Sequence, residues 1–311
     1  MGLQYFKISR PLNLLLMVAT MVLARLYVVE PVFDLHRQTI YLEWTQFGLM
    51  ALATVLIAMA GYWLNDHQDV EADNINRPDT NPIGKQLHSS KVMKGALVLT
   101  LTGVVLGNAL AIWLGAYRLG FLYTLPAILL WLYNAKLKHL PLVGNVVVSV
   151  LVGLVPMLPG IHELALLNRT DILDAAMFNY IWIGTLGYGV LAFGINIVRE
   201  VVKDIQDMQG DDHLGSRTLP LVLGEKQAKF VAILLTLALI RAILYAQQLY
   251  LAEKDMVLPI YLAVAIQLPL LVAIAMLVFS NSNRQYARVS LLLKLIAVAG
   301  VGSMLLYNIP L

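Results

Sequence analysis

The stretch WTQFGLMALATVLIAMAGYWL, residues 44–64, is followed directly by NDHQDVEADNINRP, residues 65–78. The first segment is apolar and long enough to cross the hydrocarbon core of a bilayer as one helix. The second brings Asp66, Asp69, Glu71 and Asp73 together where that helix would leave the membrane. This arrangement predicts a membrane protein with a charged site at one face of the bilayer.

Apolar stretches of similar length recur along the chain, in which 59% of the 311 residues are hydrophobic and 13% are charged. A membrane β-barrel would instead show short alternating segments. We therefore predict an all-α polytopic membrane protein: a single domain, residues 1–311, with about nine membrane-spanning helices in one bundle. The predicted spans are 11–29, 44–64, 95–114, 117–134, 142–160, 179–198, 228–247, 257–279 and 289–308. Gly153, Pro156 and Pro159 predict that the fifth is kinked or ends early.

Lysine and arginine give an orientation for these spans. Most of them fall in the N-terminal segment and in the connections after spans 2, 4, 6 and 8, all on one side of the predicted bundle. The positive-inside rule places that side in the cytoplasm. We expect an integral protein of the cell membrane whose N-terminus and longer connections are cytoplasmic. The absence of cysteine excludes disulfides, zinc–thiolate sites and cysteine nucleophiles.

Two acidic clusters with the same spacing follow spans 2 and 6. On a helix, acids at offsets 0, 3 and 7 fall within about 60° of one another. Three carboxylates on one helix face repel each other, and a divalent cation would offset this repulsion. The members are Asp66, Asp69 and Asp73 in the first acidic cluster, and Asp204, Asp207 and Asp211 in the second.

One acidic cluster alone could be a solvated loop, but two matched clusters at the same membrane face favour a shared site. Oxygen ligands favour Mg²⁺, Mn²⁺ or Ca²⁺, and Mg²⁺ completes its coordination shell with water and substrate phosphates. The sequence thus predicts a clamp for a diphosphate. Polar and basic residues near the clusters are candidates for binding its oxygens or the adjoining substrate. They are Arg10, Asn13, Arg77, Tyr133, Lys136, Lys138, Asn196, Arg199 and Lys203.

For Arg10, Lys136 and Lys138, anchoring at the lipid headgroups is an equal alternative. Tyr133 lies one turn before Lys136 and could face a cavity rather than the interfacial aromatic belt. A transporter that uses the acids as an ion site is a further alternative. Transporters place such carboxylates near the bilayer midplane, whereas these lie at one membrane edge.

In these motifs the chain resembles the UbiA superfamily of intramembrane prenyltransferases. The resemblance covers nearly the whole sequence. It rests on NDHQDVEADNINRP, on Asp207-x-x-x-Asp211, on YNAK at 133–136 and on RPLNLL at 10–15. Within the superfamily, DNINRP and REVVKDIQDMQGD look most like the digeranylgeranylglyceryl phosphate synthase branch.

The resemblance implies a Mg²⁺-dependent enzyme that moves a prenyl group from an allylic diphosphate to a lipophilic acceptor. Asp69, Asp73, Asp207 and Asp211 would be catalytic and hold Mg²⁺, with Asn65, Asp66 and Asp204 as additional ligands. The expected partners are a prenyl diphosphate, the acceptor and membrane lipid, with no nucleic acid. Geranylgeranylglyceryl phosphate is the expected acceptor. An aromatic acceptor of quinone or chlorophyll type stays open, because the family's second Arg-Pro is missing after Arg77 and Pro78.

Overall fold

The computed structural model of the chain describes residues 2–78, 80–170, 172–252 and 256–308. Met1 and residues 309–311, which the predicted domain 1–311 includes, lie outside the described residues. Within these ranges the fold is helical, without a β-strand. It confirms the prediction of an all-α polytopic bundle.

The described residues contain nine helices that we label as membrane helices. Each apolar run forms a helix because only a helix satisfies its own backbone polar groups in lipid. Shorter helices, Gly2–Ile8, Val70–Asn76 and Leu219–Leu223, lie at the connections. The membrane helices are α1 Pro11–Leu35, α2 Trp44–Gln68, α3 Ser89–Trp113, α4 Phe121–Ala135, α5 Val143–Leu167, α6 Ala175–His213, α7 Glu225–Ala252, α8 Val257–Phe279 and α9 Asn283–Leu306.

Helix α4 is the shortest, and eight of the nine are individually long and apolar enough to span a membrane. A 3₁₀ turn, Tyr117–Gly120, leads directly into α4. Together the turn and the helix rise about 30 Å, the thickness of a hydrocarbon core. Gly115, at φ +65°, provides the tight turn between α3 and this segment.

Two helices differ from their predicted spans. Helix α5 does not end at its prolines but passes through a 3₁₀ turn, Val155–Met157, and continues to Leu167. Helix α6 runs 39 residues, well beyond the predicted 179–198. Its last turns therefore project past the apolar segment, and they carry the second acidic cluster.

Helix α6 lies at the centre of the bundle and packs against α5, α7, α9 and the short helix Val70–Asn76. One apolar core joins α6 to α7, α8 and α9, and a second joins α1 to α2, α3 and α4. Helices α2 and α3 approach closely at Gly103, where a Cβ would lie 2.9 Å from the carbonyl oxygen of Ala53. Large apolar side chains such as Val105 and Phe279 cover the outer surface, as a lipid-facing surface requires.

Candidate functional site

The two acidic clusters meet at one end of the bundle, where both line a single depression that we call the polar pocket. The first cluster lies across a break, because α2 ends at Gln68 and the short helix Val70–Asn76 begins after Asp69. The second lies on the continuous last turns of α6. Thus a bent segment and a straight helix present their carboxylates to the same space.

Close backbone contact fixes these two elements against each other. The Asn76 side-chain amide donates to the carbonyl oxygen of Asp207 (3.0 Å) and accepts from the backbone N–H of Gly210 (2.9 Å). A Cβ on Gly210 would stand 2.7 Å from the carbonyl oxygen of Ala72, so only glycine allows this approach. Arg77 spans the same junction, with Nη2 2.5 Å and 2.6 Å from the two carboxylate oxygens of Asp207.

Asp69 is held from two directions. Lys138, just beyond α4, places its Nζ 2.5 Å from one carboxylate oxygen, and the Asn65 side-chain amide donates to the other at 2.5 Å. The Lys138 side chain is only 9% exposed. It therefore belongs to the pocket and is not an anchor in the lipid headgroups.

Asp66 forms a salt bridge with Arg10. The Nη2 of Arg10 lies 2.5 Å from Asp66 Oδ1 and 3.1 Å from Asn65 Oδ1. Arg10 immediately precedes Pro11 and has a left-handed backbone, φ 51° and ψ 59°. A non-glycine residue in this conformation stores strain, which other contacts must offset. Its guanidinium lies 4.9 Å above the Tyr62 ring, so the turn directs Arg10 into the pocket.

The remaining carboxylates, Asp73, Asp204 and Asp211, form no ion pair among the described residues. Asn81 donates to Asp73 Oδ2 (2.9 Å), and Asn145 donates to Asp204 Oδ2 (2.8 Å). Burial raises the pKa of Asp73, against its hydrogen bond from Asn81, and the nearby carboxylate of Asp69 raises it further. Asp211 lines the pocket without an ion pair in the described ranges. The clusters therefore carry more negative charge than their local partners neutralise.

Among the described residues, no three or more His, Cys, Asp or Glu side chains are gathered tightly enough to enclose a metal ion. The reason is that several carboxylates are drawn toward arginine, lysine or amide groups. The donor set nevertheless suits a hard cation, because it consists of carboxylate and amide oxygens around one pocket. Seven acidic and seven basic side chains line the pocket, so its formal charge is near zero. A diphosphate could enter without excess negative charge only together with cations.

The polar pocket adjoins a second space among the membrane helices, which we call the apolar cavity. Side chains from α1, α2, α4, α5, α6 and α9 line it, including Met17, Ile57, Pro126, Leu191 and Val301. Residues that line both spaces form the passage between them, which we call the neck. The neck residues are Arg10, Asn13, Asn65, Tyr133, Arg199, Glu200, Lys203 and Lys294.

A half-buried acid on α6, Glu200, organises one side of the neck. Glu200 binds Arg199 Nη1 and Lys203 Nζ, each at 3.1 Å. The Nε atoms of Arg199 and Arg77 are buried and have no hydrogen-bond partner in the part of the chain that the structure describes. Such donors suit an anionic ligand, because an unpaired buried donor is costly.

The structure brings nearly all of the predicted site residues to these connected spaces. All six cluster aspartates line the polar pocket, together with Arg77 and Lys138, and most other candidates line the neck. Asn196 lies deeper, in the apolar cavity, where its amide donates to Ser149 Oγ (3.1 Å). Lys136 is the exception: it is exposed and lines neither space. The turn after α4 carries Lys138 to the pocket instead.

Sequence reasoning missed Glu200, Asn81, Asn145 and Lys294. Glu200 and Lys294 did leave a signal, because each is an ionisable residue in or beside a predicted apolar span. No sequence pattern marks Asn81 or Asn145, because the role of each depends on a contact with a carboxylate in another segment.

This fold and site define a class: a polytopic helical membrane protein with a paired acidic and basic pocket above an apolar cavity. Comparison with known proteins agrees. A model of the UbiA prenyltransferase family matches residues 35–297. The chain belongs to this family and is an integral membrane prenyltransferase.

Curated relatives are about one third identical to this chain over the aligned residues. The digeranylgeranylglyceryl phosphate synthase of Pyrococcus furiosus is 33% identical over 229 residues, which cover 73% of this chain and 72% of the relative. The protein of the same name from Methanopyrus kandleri is 32% identical over 192 residues, 61% of this chain and 63% of the relative.

Solved structures share the fold at lower identity. A UbiA homolog from Aeropyrum pernix K1 has a TM-score of 0.62 at 16% identity and covers 98% of both chains. A UbiA homolog from Archaeoglobus fulgidus, bound to GPP and Mg²⁺, has a TM-score of 0.58 at 12% identity and covers 97% of this chain and 99% of that one.

Proposed function

We propose that this prenyltransferase transfers a prenyl group from an allylic diphosphate to the hydroxyl of a glycerol-phosphate lipid, with geranylgeranylglyceryl phosphate as the acceptor. The observation that carries the proposal is the neck, which joins a pocket lined by both acidic clusters to a deep apolar cavity. A donor with a charged head and an apolar chain fits these two spaces together. The names of the curated relatives support the acceptor.

In this proposal the diphosphate of the donor lies on the polar-pocket side of the neck, and its prenyl chain lies on the cavity side. Arg77, Lys138, Arg199 and Lys203 bind diphosphate oxygens, and the buried Nε atoms of the two arginines gain partners. The prenyl chain lies in the apolar cavity, which keeps water from the reacting carbon. The C1–O bond to the diphosphate breaks, and the acceptor hydroxyl forms a C1–O ether bond and loses its proton to a base in the polar pocket.

The residues present fit a divalent metal in the polar pocket. Asp69, Asp73, Asp207 and Asp211 would hold Mg²⁺, with the assistance of Asn65, Asp66 and Asp204, which line the same pocket. When bound, Mg²⁺ neutralises the departing diphosphate. With Asp69 and Asp207 engaged in holding a metal, their present partners Lys138 and Arg77 would be available to bind diphosphate oxygens.

An acceptor screen tests the proposal. With labelled geranylgeranyl diphosphate and Mg²⁺, we expect kcat/KM for geranylgeranylglyceryl phosphate to exceed that for an aromatic acid acceptor by at least about tenfold, since the lipid offers both a phosphate for a cation at the neck and an apolar chain for the cavity. Faster prenylation of the aromatic acceptor would replace the glycerol-phosphate assignment with the aromatic one.

We also propose that residues 1–311 act as one domain in the cell membrane, with the polar pocket facing the cytoplasm. Because the chain has no cysteine, single cysteines can report sidedness. Lys85→Cys and Asp212→Cys are expected to react with an impermeant maleimide only from the cytoplasmic side, and Asn168→Cys only from the opposite side. Labelling of Lys85→Cys and Asp212→Cys from opposite sides would contradict a shared pocket.

A further inference from the structure

Helix α9 brings one lysine into the neck. Lys294 lines both the polar pocket and the apolar cavity. It shares a helix face with Ala297, Val301 and Met304, which line the cavity at the same helical spacing. The lipid-facing side of α9 carries other residues, such as the exposed Leu295. The side chain of Lys294 therefore belongs to the neck and not to the lipid surface.

The other basic residues of the neck already have acidic partners. Arg10 binds Asp66, while Arg199 and Lys203 both bind Glu200. Lys294, by contrast, has no hydrogen-bond or ion-pair partner among residues 2–78, 80–170, 172–252 and 256–308. A lysine amine that faces a cavity and has no ion-pair partner is suited to bind an anionic ligand.

Anchoring of α9 at the membrane surface does not account for this lysine. Arg284 and Arg288 already supply positive charge at the end of α9 on the polar-pocket side. Lys294 lies six residues further along the helix than Arg288, or about 9 Å deeper. A lysine at such a depth is energetically costly, and an ionisable residue inside a membrane span is by default a candidate for function.

We propose that Lys294 binds the phosphate of the acceptor lipid and so makes the enzyme select a phosphorylated acceptor. This inference rests on the proposed function. In a glycerol-phosphate lipid the reacting hydroxyl and the phosphate ester stand on adjacent carbons, so a hydroxyl at the neck brings its phosphate to the neck as well. The donor diphosphate is held in the polar pocket by the two acidic clusters with their cations, and at the neck by Arg199 and Lys203 on α6, whereas Lys294 reaches the neck from α9.

Binding measurements without donor and in EDTA test this assignment independently of turnover. The probes are geranylgeranylglyceryl phosphate and the same lipid without its phosphate, geranylgeranylglycerol. We expect Lys294→Met to weaken binding of the phosphorylated lipid at least about tenfold, the loss of one charge-assisted hydrogen bond, and to leave the phosphate-free lipid within about twofold. Lys294→Arg should retain most of the preference.

Arg288→Met is the matched control, since it removes a positive charge from the same helix at an exposed position outside both spaces. Equal losses for both lipids in Lys294→Met, or no loss for either, would overturn the assignment. If Lys294→Met weakens binding of the phosphorylated lipid as expected, but the wild-type enzyme does not prenylate that lipid, the proposed function would be refuted and the Lys294 assignment would stand.

Discussion

Asp73→Asn and Asp211→Asn are each expected to lower kcat/KM by at least about 1,000-fold, equivalent to roughly 4 kcal/mol of transition-state stabilisation. Each change keeps the size of the side chain and removes one negative charge from the polar pocket. We expect the loss to appear mainly in kcat, because neutralisation of the diphosphate matters most as the C1–O bond breaks.

These two aspartates separate catalysis from folding better than their neighbours do. Neither makes an ion pair in the described residues, whereas Asp69 binds Lys138 and Asp207 binds Arg77. Asparagine at position 73 can still accept the hydrogen bond from Asn81. The unfolding temperature should therefore remain close to that of the wild type while kcat/KM falls.

Matched controls exist on the same elements. Glu71→Gln on the helix Val70–Asn76 and Asp212→Asn on α6 change exposed acids that do not line the pocket, and both should keep turnover within about twofold. Near-normal activity in Asp73→Asn and Asp211→Asn, together with resistance of the wild type to EDTA, would remove the basis for a metal in this site.

The sequence predicts the helical architecture and the two acidic clusters because both depend on local patterns. A run of about 20 apolar residues forms a helix in lipid wherever it occurs, and offsets of 0, 3 and 7 place acids on one helix face. The prediction does not contain the break at Asp69, which separates α2 from the next helix. Acids at these offsets can share a pocket even when the helix bends between them.

Contacts between distant segments could not be predicted from local sequence patterns. YNAK drew attention to Lys136, but the turn after α4 places Lys138 against Asp69, 69 positions earlier. Glu200 lies between Arg199 and Lys203 in the sequence, yet its role depends on burial at the neck. Lys294 could have been found, because a lysine inside an apolar span is a functional candidate by default.

The depth of the apolar cavity leads to a second large effect, on the choice of donor. Helix α2 lines the cavity from Asn65 at the neck to Thr54, eleven residues or about 16 Å below it. Ala58 lies between them, seven residues or about 10 Å below Asn65. A large side chain at Ala58 would close the lower part of the cavity and leave the neck and polar pocket unchanged.

Ala58→Phe is therefore expected to lower kcat/KM for geranylgeranyl diphosphate by at least about 100-fold, close to 2.7 kcal/mol of transition-state stabilisation. Dimethylallyl diphosphate has a single isoprene unit, which stays above residue 58. Its kcat/KM should change by less than about threefold, so the ratio of the two donors reports the cavity directly.

Leu52→Phe is the control, because Leu52 lies on the same helix, is 46% exposed and does not line the cavity. It should leave the ratio of the two donors unchanged. Equal losses with both donors in Ala58→Phe would mean that the phenylalanine disturbs the neck or the packing of α2. Unchanged use of geranylgeranyl diphosphate would mean that the prenyl chain leaves the neck by another route, sideways into lipid, and that the apolar cavity does not hold it during transfer.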